Sequence, residues 1–532
     1  MLRLRPAVLH LIAAILLLPL ASSAAESAAA KKAKALDKKI ESILADPELS
    51  RAFWGISVVS VRDGKTVYAM NPDKLFAPAS NTKLFTTAAA LALLGPDYKF
   101  RTTVETAAPV DKYGRIGGDV VLVGRGDPNL SGITLPYNLK VERKLAPVRV
   151  LEDLADQLVR SGVRYIDGDV VADDTFYPFE RYGEGWAHDD LTWDYGAPIS
   201  ALSINDNVMF LNILPAERVG EKAFVNADPF VSSYHIENRI MTTPPATGPR
   251  RLAIAREPGS TKITLSGTIP IDDLGDSFAL AIEDPAEFAA DLFRALLEKR
   301  GVVIYGVSRA RHADKVNVPT IVVTSRASHG GGTEPAVPTL SFTAPTLLAS
   351  YESMRLAEDL RLINKVSQNL HAEMILRLLG REKGTAGTAE SGLEVLHSVL
   401  TQAGIGPEEY VFYDGSGLSR KNLVSANAMT KLLKYADGQP WAAQFDDTLP
   451  KAGSDGSLAD RFKGGIAEGR VLAKTGSLSH VNALSGYLTT MKGERLAFSI
   501  LVNNHNVNAN RTVEAIDKLV EALADDTGVP KK

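Results

Sequence analysis

The spacing of apolar residues changes twice within the first hundred positions. Between Lys31 and Ala45 they recur every three to four residues, a period that predicts an amphipathic helix. From Trp54 to Val61 apolar and polar residues alternate, a polar turn follows, and Thr66 to Met70 returns, which predicts a β-hairpin. Helical spacing resumes from Ser80 to Leu94 and stops at a Gly-Pro pair, so we expect Ser80 at a helix N-terminus.

The C-terminal part of the chain has a similar texture. Alternating apolar runs predict strands at Arg470–Ser477, Val481–Thr489 and Leu496–Asn503, and a helical period predicts a closing helix over Asn510–Ala524. Short connections between these strands favour an antiparallel sheet, which the helices at the two ends of the chain would flank. Upstream, Tyr351–Leu379 has helical spacing without Pro or Gly, which predicts helical structure there.

Residues 106–338 differ from both ends, because short Val and Ile runs alternate with Gly, Asp and Pro, a pattern that predicts mainly β-structure. An outer part, 106–205 and 271–338, encloses an inner part, 206–270, and a Gly- and Pro-rich stretch near 328–338 is typical of a linker. The predicted fold is therefore α+β (α/β mixed). Its main domain, 32–105 and 340–532, carries two nested, mainly β insert domains.

Composition places the chain among ordinary globular proteins of several domains, since it has 532 residues, 45% of them hydrophobic and 23% charged. A net charge of −4, with the 59 Lys and Arg scattered, disfavours a nucleic acid partner. The absence of cysteine excludes disulfides, thiolate metal sites and lipid attachment at a cysteine.

Residues 1–25 predict a cleaved signal peptide. Arg3 and Arg5 precede an apolar stretch, Ala7–Leu20, and small residues suited to cleavage follow at Ala21–Ala25. A retained anchor is the alternative, but the apolar stretch is shorter than the roughly 20 residues that span a bilayer. We therefore expect export, and the periplasm as the location.

Three short strings carry the candidate chemistry: Ser80-Asn81-Thr82-Lys83, Ser367-Gln368-Asn369 and Lys474-Thr475-Gly476. Residues three apart on a helix share a face, so the Ser80 hydroxyl is expected beside the Lys83 amine. Such a lysine can accept a proton only when burial or a second cation, here Lys474, favours its neutral form. The strings thus indicate acyl transfer through a serine that a lysine activates, with an oxyanion site at the N–H groups of Ser80 and Ser477.

Each string alone has a simpler interpretation. Ser80 could be an ordinary helix cap with Lys83 on the surface, and Ser203 and Ser425 also begin Ser-x-Asn matches. The order of all three strings favours Ser367 and the catalytic interpretation. Metal hydrolysis is disfavoured because the histidines show no ligand spacing; a structural role is expected for His371 and His480, which flank the strings.

With these strings the chain resembles the class C low-molecular-weight penicillin-binding proteins, which are D-alanyl-D-alanine carboxypeptidases that also act as endopeptidases. The resemblance spans nearly all of the mature chain and rests on segments 79–83, 126–128, 195–202, 367–373, 414–420, 449–450, 453–458 and 474–478. It implies a serine transpeptidase/β-lactamase-like domain with two nested inserts. It also implies a periplasmic hydrolase without cofactor or metal, with peptidoglycan peptides as substrates and β-lactam antibiotics as covalent inhibitors.

The same resemblance implies roles for single residues. Ser80 would be acylated, Lys83 would be the base, and Ser367 and Asn369 would assist. The third string and its neighbours would hold the substrate carboxylate and the oxyanion, and further positions would bind the two ends of a diaminopimelate side chain. The first group is Lys474, Thr475, Gly476 and Ser477; the second is Arg420, Leu478, Ser479 and Asp173. His371 departs from the aromatic residue that many relatives carry.

Two other functions stay open at this point. A β-lactamase shares the three strings, although its compact domain does not accommodate the 287 residues between Ser80 and Ser367. A non-catalytic wall-binding module would rely on the inserts instead. The sequence leaves open the balance of carboxypeptidase and endopeptidase activity, the preferred diamino acid, peripheral membrane association and the oligomeric state.

Overall fold

The computed structural model describes residues 34–137, 145–245, 248–314 and 345–525. The predicted signal peptide, 1–25, and the predicted linker near 328–338 lie outside these residues. Within them, no helix combines the length and apolar character needed to cross a membrane.

The strands, in chain order, are β1 (Phe53–Ser60), β2 (Thr66–Met70), β3 (Leu75–Phe76), β4 (Arg101–Thr106), β5 (Arg115–Ile116), β6 (Val120–Val123), β7 (Asp127–Leu130), β8 (Tyr165–Ile166), β9 (Val170–Pro178), β10 (Leu202–Ile204), β11 (Val208–Leu214), β12 (Phe224–Asp228), β13 (His235–Thr243), β14 (Arg251–Ala255), β15 (Lys262–Pro270), β16 (Asp276–Ala281), β17 (Val303–Ile304), β18 (Ser308–Ala313), β19 (Thr346–Glu352), β20 (Tyr410–Val411), β21 (Leu423–Ser425), β22 (Val471–Leu478), β23 (Val481–Thr489) and β24 (Arg495–Asn503). The helices are α1 (34–44), α2 (Thr82–Leu93), α3 (Arg149–Arg160), α4 (Pro285–Lys299), α5 (Leu356–Lys365), α6 (Asn369–Lys383), α7 (Ala389–Gln402), α8 (Ala426–Asp437), α9 (Ala442–Thr448) and α10 (Ala509–Ala524).

The two ends of the chain meet in one antiparallel sheet of order β2-β1-β24-β23-β22. Because side chains alternate along a strand, Leu484 and Leu488 of β23 pack with α1 and α10, whereas Ala483 and Tyr487 pack with α2, α8 and their neighbours. The hairpin and the three C-terminal strands lie within one residue of their predicted ends. The expectation of a mixed helix and sheet fold with an antiparallel sheet between helices is confirmed.

Residues 101–352, here named the inserted segment, leave and rejoin this structure at neighbouring strands. The chain departs through β4 and returns through β19, which pair antiparallel in a second sheet of order β18-β9-β6-β4-β19. The helices α3 and α4 pack on that sheet. Both strands belong to the sheet of the inserted segment, although the sequence prediction had placed their residues partly in the main domain, which it ended at 105 and resumed at 340.

The inner part of the inserted segment consists of two small sheets, β12-β11-β16 and β13-β15-β14. Strand β16 pairs with β11 from Val208↔Ala281 to Ile213↔Asp276. The inner part therefore extends to 281, beyond the predicted end at 270, because β16 supplies hydrogen bonds that β11 needs on its second edge.

The serines that begin the first two strings both lie outside the helices that follow them. Ser80 lies in a single 3₁₀ turn, Ala79–Asn81, and α2 begins only after it. The long helical run 351–379 is divided into α5 and α6, with Ser367 between them at a φ of 65°. Helical spacing does not report such breaks, because a left-handed residue leaves the apolar period on both sides intact.

Candidate active site

Ser80 is half-buried in its turn, and Lys83 is fully buried one helical turn further on. The Lys83 Nζ lies 3.0 Å from Ser80 Oγ. The predicted nucleophile and base are therefore in hydrogen-bond contact.

The Lys83 amine has two further partners. Its Nζ lies 2.6 Å from Asn369 Oδ1 and 2.6 Å from the carbonyl oxygen of Ser416. Burial lowers the pKa of Lys83 to about 7, although Asp414 and Glu373 oppose the shift. A neutral amine has two N–H donors and one lone pair, so these two oxygens use both donors and leave the lone pair to accept the Ser80 proton.

Lys474 is fully buried on β22, and its Nζ lies 2.9 Å from Ser367 Oγ and 2.8 Å from the Thr475 carbonyl oxygen. Burial, and then the charge of Lys83, lowers the pKa of Lys474. The second string thus contacts both others, because Ser367 binds Lys474 and Asn369 binds Lys83.

Strand β22 is an edge of its sheet and exposes one side of its backbone. Ala473 N donates to Pro450 O, so the N–H groups of 473 and of every second residue after it face away from β23. Ser477 is one of these residues. The strand also lies against the Ser80 turn, since a Cβ on Gly476 would lie 2.7 Å from the Pro78 carbonyl oxygen. An oxyanion between the N–H groups of Ser80 and Ser477 fits this arrangement.

Two buried acids, Glu373 of α6 and Asp414, lie behind Lys83; segments 367–373 and 414–420 contribute to the resemblance, but the sequence analysis gave these two residues no role. Glu373 Oε1 accepts from the N–H groups of Gly415 and Ser416 at 2.9 and 2.8 Å, and its Oε2 lies 3.1 Å from Arg377 Nη1. Asp414 accepts from Gly417 N at 2.9 Å. The segment that offers Ser416 O to Lys83 is therefore fixed by buried charges.

The inserted segment reaches the site through a second group of residues that the sequence analysis did not identify. Asn369 Nδ2 donates to the Tyr195 carbonyl oxygen at 2.8 Å, and Trp186 Nε1 donates to Asp414 Oδ2 at 2.9 Å. Burial, and then the negative charge of Asp190, raises the pKa of Tyr195. Segments 126–128 and 195–202, which contribute to the resemblance, were the available signal, but they did not indicate these contacts.

The predicted substrate-binding residues fall in different places. Ser477 and Leu478 end β22 and Ser479 follows it. Arg420 is exposed and has no ion pair among the described residues. Its charge acts on Asp190 of the inserted segment: burial raises the pKa of Asp190, and Arg420 opposes that shift. Asp173 is not brought to the strings by any hydrogen bond in the described residues: its carboxylate binds Arg311 at 2.9 Å and Thr175 at 2.7 Å.

Comparison with known proteins gives a consistent result. A family model described as the D-Ala-D-Ala carboxypeptidase 3 (S13) family matches residues 36–327 and 335–525. A D-alanyl-D-alanine carboxypeptidase of Actinomadura sp. (strain R39) is 35% identical over 519 residues, which are 96% of this chain and 88% of the relative.

Among solved structures, penicillin binding protein 4 (dacB) from Haemophilus influenzae superposes with a TM-score of 0.74 at 21% identity, covering 92% of this chain and 99% of that one. The same protein complexed with a β-lactam superposes with a TM-score of 0.68 at 21% identity, covering 92% and 98%. These two structures support the overall fold of the chain.

Proposed function

This chain belongs to the D-Ala-D-Ala carboxypeptidase 3 (S13) family, and from that premise we propose that Ser80 is the nucleophile with which it cleaves peptidoglycan peptides. The membership confirms the resemblance to class C penicillin-binding proteins and the prediction of a serine-type D-alanyl-D-alanine carboxypeptidase. The observation that carries the roles of Ser80 and Lys83 is the set of contacts of the Lys83 amine, whose Nζ lies 3.0 Å from Ser80 Oγ and 2.6 Å from each of two acceptor oxygens. In the neutral amine those two oxygens would take both N–H groups, which would leave the lone pair for the hydroxyl proton.

In the acylation step, Ser80 Oγ attacks the carbonyl carbon of the penultimate D-Ala and its proton passes to Lys83 Nζ. The negative charge that develops on the carbonyl oxygen is stabilised by the N–H groups of Ser80 and Ser477. Because the pKa of Lys83 is about 7, about half of the amine is neutral at pH 7, so Lys83 itself can serve as the base.

When the C–N bond breaks, the departing amine must gain a proton. In the proposed mechanism Ser367, whose Oγ lies 2.9 Å from Lys474 Nζ, passes this proton on from Lys83, while Asn369 holds the Lys83 amine. Water then attacks the ester, its proton returns through Lys83, and the shortened peptide leaves with Ser80 restored. In an endopeptidase cycle the same ester forms, but the leaving amine belongs to a neighbouring peptide.

The substrate carboxylate binds at the third string. A carboxylate beside Lys474 and Thr475 would favour the charged form of the Lys474 amine, which burial otherwise disfavours. Gly476 lets the strand approach the Ser80 turn closely enough for one substrate to contact both.

A diaminopimelate side chain ends in a carboxylate and an amine. Arg420, exposed and without an ion pair in the described chain, suits the carboxylate. Asp173 is already paired with Arg311, whereas Asp189 is an exposed carboxylate that acts electrostatically on Asp190, the residue that Arg420 also influences. Asp189 therefore fits the amine better than Asp173. Leu478 is the last residue of β22 and Ser479 follows it; the resemblance assigns both to the same subsite.

The proposed location is the periplasm, after removal of residues 1–25. Cleavage of wall peptides requires export, and the leader pattern provides it. Sequencing the N-terminus of the mature protein tests this: a start near Ala25 or Glu26 is expected, whereas a start at Met1 contradicts cleavage.

Intact-mass analysis with benzylpenicillin tests the role of Ser80. We expect one penicilloyl adduct on the native protein and on Ser398→Ala, which removes an exposed serine of α7, but none on Ser80→Ala. D-Alanine release from a pentapeptide ending in D-Ala-D-Ala should be lost with the adduct. No adduct on the native protein, or an unchanged one on Ser80→Ala, rejects the proposal, and rapid turnover of penicillin indicates a β-lactamase instead.

A further inference from the structure

His371, in the first turn of α6, is fully buried between two carboxylates. Its Nδ1 lies 2.7 Å from Asp359 Oδ1 on α5, and its Nε2 lies 3.3 Å from Asp206 Oδ1 in the inserted segment. The side chains of both aspartates are less than 5% exposed. The ring therefore joins the inserted segment to the helix that carries the second string.

Both nitrogens of this ring face acceptors. A neutral imidazole has only one N–H and could satisfy one of the carboxylates, whereas the imidazolium donates to both. The titratable groups around the ring are Asp359 from α5 and, from the inserted segment, Asp206 and the buried Asp127, whose pKa burial raises to about 7. Burial alone would lower the pKa of His371, but the charges and hydrogen bonds of Asp359 and Asp206 raise it to about 10.

Asp206 reaches the ring from an unusual turn. Asn205, Asp206 and Asn207 all have a positive φ, between 52° and 58°. Three successive non-glycine residues in this region persist only where the surroundings fix them. Here Asn205 Nδ2 donates to Val208 O and Asn207 Nδ2 donates to Pro198 O, which leaves Asp206 directed toward α6.

The same carboxylate also holds the second string. Gln368 Nε2 donates to Asp206 Oδ2 at 3.2 Å, and Gln368 Oε1 accepts from Leu370 N, which caps α6. The flanking residues are Ser367, in the left-handed region, and Asn369, which contacts the amine of Lys83. A shift of Asp206 would thus be transmitted to both functional side chains of the string.

We propose that His371 is a positioning residue: as an imidazolium between Asp206 and Asp359 it ties the inserted segment to the second string and keeps Ser367 and Asn369 aligned for acyl transfer. This inference rests on the proposed function of the site. It gives the inserted segment a role in the chemical step that does not require contact with the substrate.

The chain contains a matched control. Like His371, His312 lies between two carboxylates, and we name each such histidine with its two aspartates a clamp. His312 Nδ1 lies 2.9 Å from Asp174 Oδ1, and its Nε2 lies 3.1 Å from Asp284 Oδ2. All three residues belong to the inserted segment, and none contacts the strings by a hydrogen bond in the described residues. Loss of either clamp removes the same kind of ion pair, but only the first is expected to affect acylation.

The test measures adduct formation with a chromogenic cephalosporin at rising concentration, which separates the binding constant from the acylation rate constant. We expect His371→Gln to lower the acylation rate constant at least tenfold and to change the binding constant less than threefold. His312→Gln should keep the acylation rate constant within twofold. Asp206→Asn should lower it about threefold or more, and its effect should be non-additive with His371→Gln.

Rates are expressed per active site, counted by the final amount of adduct, so that partial unfolding does not enter the comparison. If His371→Gln does not fold, the test rests on Asp206→Asn, because this variant removes one charge and keeps the His371–Asp359 pair. A native acylation rate constant in whichever of these variants folds, or an equal loss in His312→Gln, overturns the inference. Failure of the native protein to form an adduct would instead overturn the proposed function.

Discussion

Gly417 lies so close to Ala79 that a Cβ on Gly417 would be 1.8 Å from the Ala79 carbonyl oxygen. Ala79 precedes the nucleophile, and Gly417 follows the residue whose carbonyl oxygen accepts from Lys83. The loop 414–420 and the Ser80 turn are therefore in direct backbone contact, and the position of one constrains the other.

Gly417→Ala is expected to displace the Ser80 turn. We expect at least a tenfold lower acylation rate and a loss of stability well above the roughly 1 kcal/mol that a positive φ costs a residue with a Cβ. Gly404→Ala is the matched control, because Gly404 also has a positive φ of 72° but a Cβ there would meet no atom within 4 Å. Penicillin acylation and chemical denaturation measure both effects; equal behaviour of the two variants would contradict this close contact.

The acylation rate is expected to rise with pH through about 7. Only the neutral form of Lys83 can accept the Ser80 proton, and its fraction grows as the pH passes its pKa of about 7. At one pH unit below the pKa, about one tenth of the maximum rate should remain. Burial lowers the pKa of Lys83 and Glu373 opposes that shift, so Glu373→Gln should move the profile to lower pH.

The exposed Glu390 provides the control for this shift, since Glu390→Gln should leave the profile in place. Stopped-flow acylation between pH 5 and 9 measures the three curves, with the limits chosen at about two units either side of the pKa. A flat profile for the native protein would be incompatible with Lys83 as the base.

Arg377→Met is expected to destabilise the protein by about 3–5 kcal/mol, because it leaves the Glu373 carboxylate buried without its cation. The exposed Arg381, four residues further along α6, is the control, and Arg381→Met should cost about 1 kcal/mol or less. Denaturant unfolding gives both values. If the two variants are equally stable, the buried pair does not have the role assigned to it.

Arg420→Ala is expected to raise KM at least tenfold for a peptide that contains diaminopimelate but to change KM little for the lysine analogue, which lacks the second carboxylate. Arg251→Ala removes an exposed arginine from the inner part of the inserted segment and should affect neither substrate. Steady-state release of D-alanine from the two peptides provides the comparison. Equal losses on both substrates would place Arg420 outside this subsite.

Much of the fold was predictable because it follows from local spacing. The strands β22, β23 and β24 are rich in apolar residues and are separated by short polar turns, and their observed ends lie within one residue of the predicted ones. The N-cap of α8 is equally local, since the Ser425 hydroxyl accepts from Ala428 N three residues further along. By contrast, nothing in the residue pattern of β4 and β19 reveals which sheet the two strands join.

The sequence by itself determined the residue types of the candidate site, because Ser80, Lys83, Ser367, Asn369 and Lys474 belong to strings that are typical of one chemistry. Only the tertiary structure decided the environment of Lys83, since burial lowers its pKa and the oxygens of Asn369 and Ser416, nearly three hundred or more positions away, contact its amine. It also decided that Asp206 reaches α6 through His371. Burial and long-range contacts depend on how distant segments pack, and no local pattern of residues specifies that.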